Sequence, residues 1–489
     1  MEARLAKLER IRARSQDPYP PRFNRSHSAS QALDAFQKLE QARGQDPAPE
    51  SPVITVAGRI VSIRVMGKAS FAHIQDGSGK LQLYLRIDRL GEDRYRTFDD
   101  FDLGDFIGAS GKLFRTRTCE VTVEVDEFVM LAKALHPLPE KWHGLVDTEK
   151  RYRQRYLDLI SNEDVRRVFQ TRSRVISSVR RYLDDRQFLE VETPVLQPVY
   201  GGAFARPFVT HHHTLDQRMY LRIATELYLK RLVIGGLERV YEIGKDFRNE
   251  GISTRHNPEF TVLEAYQAYG DYNEMMTLTE GMVCNVAQEV LGRTRVTYQG
   301  SEINLEPPWR RLPLIESLHQ YAELDLAEYP EAEALADVLN RKGLPADASA
   351  GWGKLVDLAV SAWVEPHLIQ PTFLTDYPLE LSPLAKRKPE DPNLVERFEP
   401  VIARMEMGNA FTELNDPLDQ RERFEEQVRA REAGDEEAQP MDVDFLLALE
   451  HGMPPTGGLG LGIDRLVMLL TDQASIREVI LFPQLRNIE

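Results

Sequence analysis

The sequence predicts an α+β protein of at least two domains, a small β-barrel ahead of a larger domain of sheet and helices. Three observations carry that expectation. The chain has 489 residues, well beyond the ~250–300 at which a single hydrophobic core divides. From Val53 to about residue 135 the apolar pattern has period two, in runs broken by Gly, Asp and Lys turns. Beyond residue 150, long stretches of helical period alternate with short β-rich runs such as "FTVLEAYQAY".

Composition limits what such a chain does. With 42% hydrophobic and 28% charged residues it is neither disordered nor membrane-like. No window approaches ~18 apolar residues, so no membrane span is expected. The opening "MEARLAKLERIRARSQ" lacks the apolar core of a signal peptide. Only Cys119 and Cys284 are present, too few for a disulfide scaffold or a structural zinc site. A cytoplasmic address is the simplest reading. The net charge of −16 argues against a wholesale nucleic-acid coat, while screening over ~8 Å leaves room for a local basic track.

Residues 1–50 read as a helical extension, two pieces divided by "DPYPP". The first piece carries Arg4, Lys7, Arg10, Arg12 and Arg14 around a Leu5/Leu8/Ile11 stripe. It is either a solvated helix packed on its neighbour or a basic helix that meets phosphates.

Residues 51–135 hold "VITVAGRIVSIRVM", "ASFAHIQD", "KLQLYLRI", "GDFIGASGKLFRT" and "EVTVEVDEFVMLAKAL", with a helical piece at about 89–101 after the third run. Five strands in that order predict an OB-fold, a barrel whose face binds oligonucleotides. Phe71, His73 and Gln75 alternate toward one face, as do Gln82 and Tyr84. An aromatic ring beside amide and imidazole groups suits the stacking and edge-reading of splayed bases. A packed barrel interior would show the same alternation.

Residues 136–150, with most of the proline-containing "LHPLPEKWHG", form a linker, and 151–489 the larger domain. The larger domain opens on a long helical stretch dense in arginine. Residues 310–395 read as a largely helical insertion.

Chemistry concentrates in three stretches of the larger domain. "DFRNEGISTRHNPEF" (246–260) reads as strand, turn and strand. In the run that follows, Phe260, Val262, Glu264 and Tyr266 share a face, and in "MGNAFTEL" (407–414) so do Asn409, Phe411 and Glu413. Aromatic rings bracketed by carboxylates and a carboxamide make poor core. Burying several carboxylates costs several kcal/mol each unless cations come from the protein, a metal or a ligand. The third stretch, "GGLGLGIDRLVMLL" (457–470), runs from glycines into a helix. It has neither the GK[ST] of a P-loop nor the spacing of a dinucleotide turn, but it lets Arg465 approach a flat or anionic ligand closely. Three consecutive histidines at 211–213 cannot all face one ion from a strand, and "GWGK" (351–354) is no phosphate loop.

These stretches, in this order, resemble the three motifs of the class II aminoacyl-tRNA synthetases, and within that class the lysyl enzymes. "DRQFLEVETPVL" (185–196) is similar to the first motif, ending at Pro194, "FRNEGISTRHNPEF" (247–260) to the second, and "GGLGLGIDR" (457–465) to the third. Gln187 stands where the first motif usually has glycine, and Asp464 where much of the class has glutamate. The resemblance covers essentially the whole chain.

It implies an antiparallel catalytic sheet flanked by helices, a homodimer packed through the first motif, and ATP, Mg²⁺, L-lysine and tRNA(Lys) as ligands. By resemblance Arg248 and Arg465 are catalytic. Arg248 holds the α-phosphate and the amino-acid carboxylate, Glu250 reads the adenine edge, and Arg255 and His256 reach the terminal phosphate. Phe260 and Arg465 sandwich adenine, and Glu399 with Glu406 hold Mg²⁺. The lysine pocket comprises Gly202 and Glu226 at the α-amino group and Glu264, Tyr266 and Glu413 around the ε-ammonium, with Asn409 and Phe411 beside them. Phe71, Gln82 and Glu120 match anticodon-reading positions. Aspartate or asparagine is the nearest alternative amino acid, and either would call for basic side chains in the pocket.

Overall fold

The computed structural model describes residues 1–42, 51–139, 145–432, 434 and 438–486. Part of the expected linker (140–144) and the end of the N-terminal extension (43–50) lie outside the described residues. Contacts divide the chain into two compact units, Met1–Leu145 and Val146–Glu489. Among the described residues no helix is long and apolar enough to cross a membrane.

In the first unit α1 (Glu2–Ala13) precedes five strands, β1 (Val53–Met66), β2 (Ala69–Gln75), β3 (Lys80–Arg86), β4 (Phe106–Arg115) and β5 (Val121–Ala132). They close into a barrel in the order β1-β2-β3-β5-β4, the OB-fold that the strand order predicted. Alternation fills the barrel with Ile54, Val56, Ile60, Leu83, Leu85 and Val125. Four of the five cations in and just after α1 are turned onto the rest of this unit: Arg10 and Arg14 each lie 2.6 Å from Asp100, Lys7 lies 2.8 Å from Asp102, and Arg4 donates to the Ala134 carbonyl at 2.8 Å, while Arg12 pairs with Glu9 on the helix itself. The basic helix is therefore an anchored one, and of its two readings packing on a neighbour is the one observed.

The second unit is built on a nine-stranded sheet. Its principal elements are α2 (Glu163–Asp184), β6 (Leu189–Glu190), α3 (Glu226–Ile234), β7 (Arg239–Phe247), β8 (Glu259–Ala268), α4 (Tyr272–Leu291), β9 (Arg310–Pro313), β10 (Thr372–Pro378), β11 (Leu394–Ile402), β12 (Gly408–Thr412), β13 (Thr456–Gly462) and α5 (Ile463–Thr471). The order across the sheet is β9-β10-β11-β12-β13-β8-β7-β6, and the ninth strand, the short Met405–Glu406, pairs with β11 off this path.

The expected antiparallel arrangement holds from β10 to β7, but the outermost pairs, β9 with β10 and β6 with β7, are parallel. Parallel neighbours need a crossover connection, and helices supply it in both places. The helices at Leu314–Ala322, Ala332–Arg341 and Trp352–Ala359 lie between β9 and β10. The 310–395 segment thus contributes strands to the main sheet, and its helical part is that crossover.

Beneath the sheet, α4 and α5 pack Met275, Met282, Val283, Leu466 and Val467 against Leu263, Leu459 and Leu461. Asp271 caps α4 by accepting from the amides of Asn273 and Glu274, and Gly292 ends it with φ +73°. Gln187 also has positive φ, +64°, so the turn keeps the backbone form that glycine adopts most easily.

Candidate active site

The site is a trough on the sheet face opposite α4 and α5, and a pattern of missing side chains makes it. Along β13, Leu459 and Leu461 enter the core while Gly458 and Gly460 face the other way. On one side β8 places Tyr266 beside Gly458 and Glu264 beside Gly460. On the other, β12 places Phe411 beside Gly458 and Asn409 beside Gly460. A Cβ on Gly458 would lie 1.9 Å from Glu413 Oε1, and one on Gly460 2.7 Å from Glu264 Oε1. Both distances are shorter than real Cβ contacts, so a side chain at either position would displace the carboxylates from where they stand. The cavity measures about 420 Å³, and its walls include the expected Gly202, Glu226, Glu264, Tyr266, Asn409, Phe411 and Glu413.

Its closed end is strongly acidic. Tyr266 donates to Glu264 Oε2 at 3.0 Å. Burial first, then Glu226 and Asp246, hold the Glu264 carboxyl well above the usual carboxylate range. Burial, reinforced by Glu264, likewise holds the Tyr266 hydroxyl well above the ordinary tyrosine value.

Of the three sources of cation that the sequence left open, the protein supplies one. Lys230, fully buried on α3, pairs with Glu226 Oε1 at 2.6 Å and also with Glu413. Burial opposes its charge, but Glu226 and Glu413 outweigh burial and raise its pKa. One cation faces three carboxylates, and both partners of Lys230 remain above the ordinary range because burial outweighs it. Glu264 forms no ion pair within 4.0 Å among the described contacts, so the deficit is real and local.

Sequence reasoning missed Lys230, although Glu226 and Lys230 stand four residues apart on a helix, the spacing that pairs side chains. It also missed Arg397, which donates to Asn409 Oδ1 at 2.8 Å and to Glu399 at 2.5 Å. Gln439, whose Oε1 accepts from the Gly202 amide at 3.0 Å, was missed as well. Gly202 itself has φ +87° and carries Glu226 close above it.

The open end is basic. Arg248, Glu250, Arg255, His256, Phe260, Glu406 and Arg465 all line it. The strand pair β7–β8 closes where the Arg248 amide donates to the Pro258 carbonyl at 2.8 Å. The Arg248 guanidinium lies 5.1 Å from the Phe260 ring centre and donates to the Ile223 carbonyl. Arg465 bonds the Glu406 carbonyl and lies 3.2 Å from its carboxylate. Partial burial and the nearby Arg465 push His256 below the ordinary histidine range. Glu399 is set back behind Arg397. Burial, offset by Arg397 and reinforced by Glu406, brings its carboxyl to about 7.

A single arginine ties the run that begins at Phe260 to the 457–470 stretch. Arg172 of α2 contacts Asp464 Oδ1 at 2.5 Å and Thr261 Oγ1 at 2.9 Å, while Asp464 Oδ2 accepts from the Thr261 amide at 2.7 Å. Asp464 therefore serves as a buried link between β8 and α5.

On the barrel, Phe71, His73 and Gln75 occupy the half-exposed face of β2, with Ala72 and Ile74 inside. Phe71 stacks on Tyr84 at 4.5 Å. Glu120 bridges His73 Nε2 (2.7 Å) and Gln82 Nε2 (2.8 Å), and Gln82 Oε1 accepts from Thr122. Phe71, Gln82 and Glu120 thus form one patch, ordered by His73.

Comparison with known proteins agrees with this geometry. The family model of class II tRNA synthetases (D, K and N) matches residues 147–486, and that of the OB-fold nucleic-acid-binding anticodon domain matches residues 54–131. A lysine–tRNA ligase of Roseiflexus castenholzii is 57% identical over 490 residues, covering 100% of this chain and 99% of its own. A lysine–tRNA ligase of Chloroflexus aurantiacus is 56% identical, over 99% of this chain and 97% of its own. One from Pelotomaculum thermopropionicum is 55% identical, over 100% and 95%. A trough with an acidic closed end and an arginine-lined mouth, an OB-fold barrel, and full-length relatives of one kind lead to one conclusion: the chain belongs to the class II tRNA synthetases (D, K and N), among the lysine–tRNA ligases.

Proposed function

We propose that the protein joins L-lysine to the 3′ end of its tRNA in two steps, through a lysyl-adenylate. The observation that carries this reading is the closed end of the trough, where three buried carboxylates meet one protein cation. A ligand bearing ammonium groups completes that charge balance; aspartate or asparagine would need the opposite.

In the first step the lysine carboxylate attacks the α-phosphorus of ATP and pyrophosphate leaves. The nucleophile is already ionised, so no general base is required, and catalysis reduces to positioning and charge stabilisation. Arg248 stands between the acidic end and the mouth, where a bidentate guanidinium can hold the carboxylate and the α-phosphate together. Arg255 and His256 meet the leaving phosphates. The adenine takes the free face of Phe260, with Arg465 opposite and Glu250 at its edge. In the second step a terminal ribose hydroxyl of the tRNA attacks the adenylate carbonyl and AMP leaves.

Glu399 and Glu406 suit Mg²⁺. Among the described residues no three His, Cys, Asp or Glu side chains gather as a metal cage. Two carboxylates plus substrate phosphate oxygens are the donor set that Mg²⁺ prefers, and Glu406 adds to the burial that raises the Glu399 carboxyl. When bound, the ion neutralises phosphate charge. A homodimer accords with the apolar Leu189, Val195 and Leu196 exposed around the first motif, and the cytoplasm with the cysteine usage.

The direct assay is ATP–pyrophosphate exchange with lysine, aspartate and asparagine in turn. Lysine alone is expected to support it, and exchange driven by aspartate would overturn the assignment. Two further outcomes separate the parts. Phe71→Ala is expected to lower kcat/KM for tRNA charging about 10-fold to 100-fold, the worth of one stacked base, while lysine–ATP exchange is unchanged. Equal loss in both assays would make Phe71 a purely structural residue. The KM for lysine is expected to rise as pH falls, because the raised Glu264 and Glu413 carboxyls take up protons that an ammonium must displace. A lysine KM that fell on acidification would contradict the pocket's ionised state.

A further inference from the structure

Lys230 is absent from the cavity wall, yet its ammonium is the contact that unites both ends of the proposed lysine site. Glu226, beside Gly202, faces the α-amino end; Glu413, over Gly458, faces the ε-ammonium end. Both bond the same Nζ. The stem is fully enclosed, with Nζ 5.3 Å from the Phe411 ring centre and 6.0 Å from that of Phe445. Resting on the lysine-ligase reading, we propose that Lys230 is a positioning residue that fixes both carboxylates and sets the pocket's charge to match a dication.

The charge balance is specific. Glu226, Glu264 and Glu413 bring three negative charges and Lys230 one positive, leaving two. Lysine brings two ammonium groups, while its carboxylate faces Arg248. Two further charged groups act on these carboxylates and are themselves paired: Arg397, which favours ionised Glu226, with Glu399 at 2.5 Å, and Asp246, which opposes ionised Glu264, with Arg222 at 3.3 Å. Tyr266 is held neutral. Without Lys230, three carboxylates would face two ammonium groups, and the empty pocket would answer by binding a proton on Glu226 or Glu413. The total would still match, but the proton would neutralise a carboxylate that must itself face an ammonium group of lysine. A neutral residue at 230 therefore weakens lysine binding through a proton, beyond any loss of packing.

The same logic bears on selectivity. A substrate with one ammonium group leaves a carboxylate stranded at the closed end, a cost that a well-solvated pocket would not impose. Lys230 thereby sharpens rejection of monocationic amino acids without touching the substrate.

The test is lysine-dependent pyrophosphate exchange by full-length protein across pH, at saturating ATP. Lys230→Met is expected to raise the lysine KM about 30-fold or more at neutral pH, with the ATP KM at its wild-type value. The pH below which the lysine KM climbs is expected to move upward, because the cation that opposed protonation of Glu226 and Glu413 is gone. Lys230→Arg keeps the charge and is expected to retain the wild-type pH midpoint even if its bulk weakens binding. An unmoved midpoint in Lys230→Met, or a midpoint in Lys230→Arg displaced as far as in Lys230→Met, would overturn the proposal and leave Lys230 a packing residue. If Lys230→Met does not fold, the arginine variant decides alone: an unmoved midpoint supports the proposal and a displaced one overturns it. Failure of the lysine-ligase reading looks different, since wild-type protein would then show no lysine-dependent exchange.

Discussion

Replacing Arg248 by alanine is expected to lower lysine-dependent pyrophosphate exchange by ~10³-fold or more, with the fold intact. Removing one neutral donor from a transition-state site costs ~10²–10³ in rate, and a guanidinium that binds two anionic groups through paired bonds carries more than one such donor. The fold should survive because Arg248 holds little else. Its side chain lies over Phe260 and donates one long bond, 3.4 Å, to the Ile223 carbonyl. The cluster that binds β7 to its surroundings is Arg222 with Glu242 at 2.6 Å and Asp246 at 3.3 Å. Arg248 does temper Asp246, whose carboxyl burial raises to about 6 despite Arg248 and Arg222, so a small drop in stability above that pH is expected in the variant. Circular dichroism and a melting curve check the fold, and exchange near the wild-type rate would refute the phosphate role.

Glu264→Gln is expected to raise the lysine KM by ~100-fold or more while leaving the ATP KM in place and making the protein no less stable at neutral pH. The two effects have opposite signs for one reason. Glu264 is buried, bonded to Tyr266 and without an ion pair within 4.0 Å among the described residues, so its ionised form is costly until a cation arrives. Its folded pKa lies above its unfolded value. The folded chain therefore binds more protons, and stability falls as pH rises above the unfolded value. Glutamine removes that cost and keeps the shape. In the presence of lysine the same replacement removes a buried charge partner, worth ~2–5 kcal/mol. Melting curves with and without lysine distinguish the two: the variant should match or exceed wild type when empty and lose the shift that lysine confers. A variant much less stable when empty would mean that Glu264 is already neutralised within the protein.

Much of this was legible in the residues. Period-two alternation placed Phe260, Glu264 and Tyr266 on one face, and Asn409, Phe411 and Glu413 on another, before any coordinates. The glycine run suggested a close approach of Arg465 to a ligand, whereas what lies against Gly458 and Gly460 is the carboxylates of Glu413 and Glu264, which come from segments distant in sequence. Lys230 was hidden because a Glu–Lys pair four residues apart is ordinary on an exposed helix. Only burial, a tertiary property, turns it into part of the site. The basic first helix admitted two readings until Asp100 and Asp102 were seen to take up its cations. The parallel strand pairs at the two ends of the sheet were illegible for a similar reason: crossover connections fix pairing through space, and "RRLP" carries no mark of the strand it joins.

Binding of norleucine, which matches lysine except for its ε-amino group, tests the central claim most directly. Calorimetric titration in the presence of a non-hydrolysable ATP analogue is expected to show norleucine binding ~10⁴-fold more weakly than lysine, because it leaves buried carboxylates unpaired. Comparable affinity for the two would contradict the account, since the acidic end of the trough would then not be what recognises the substrate.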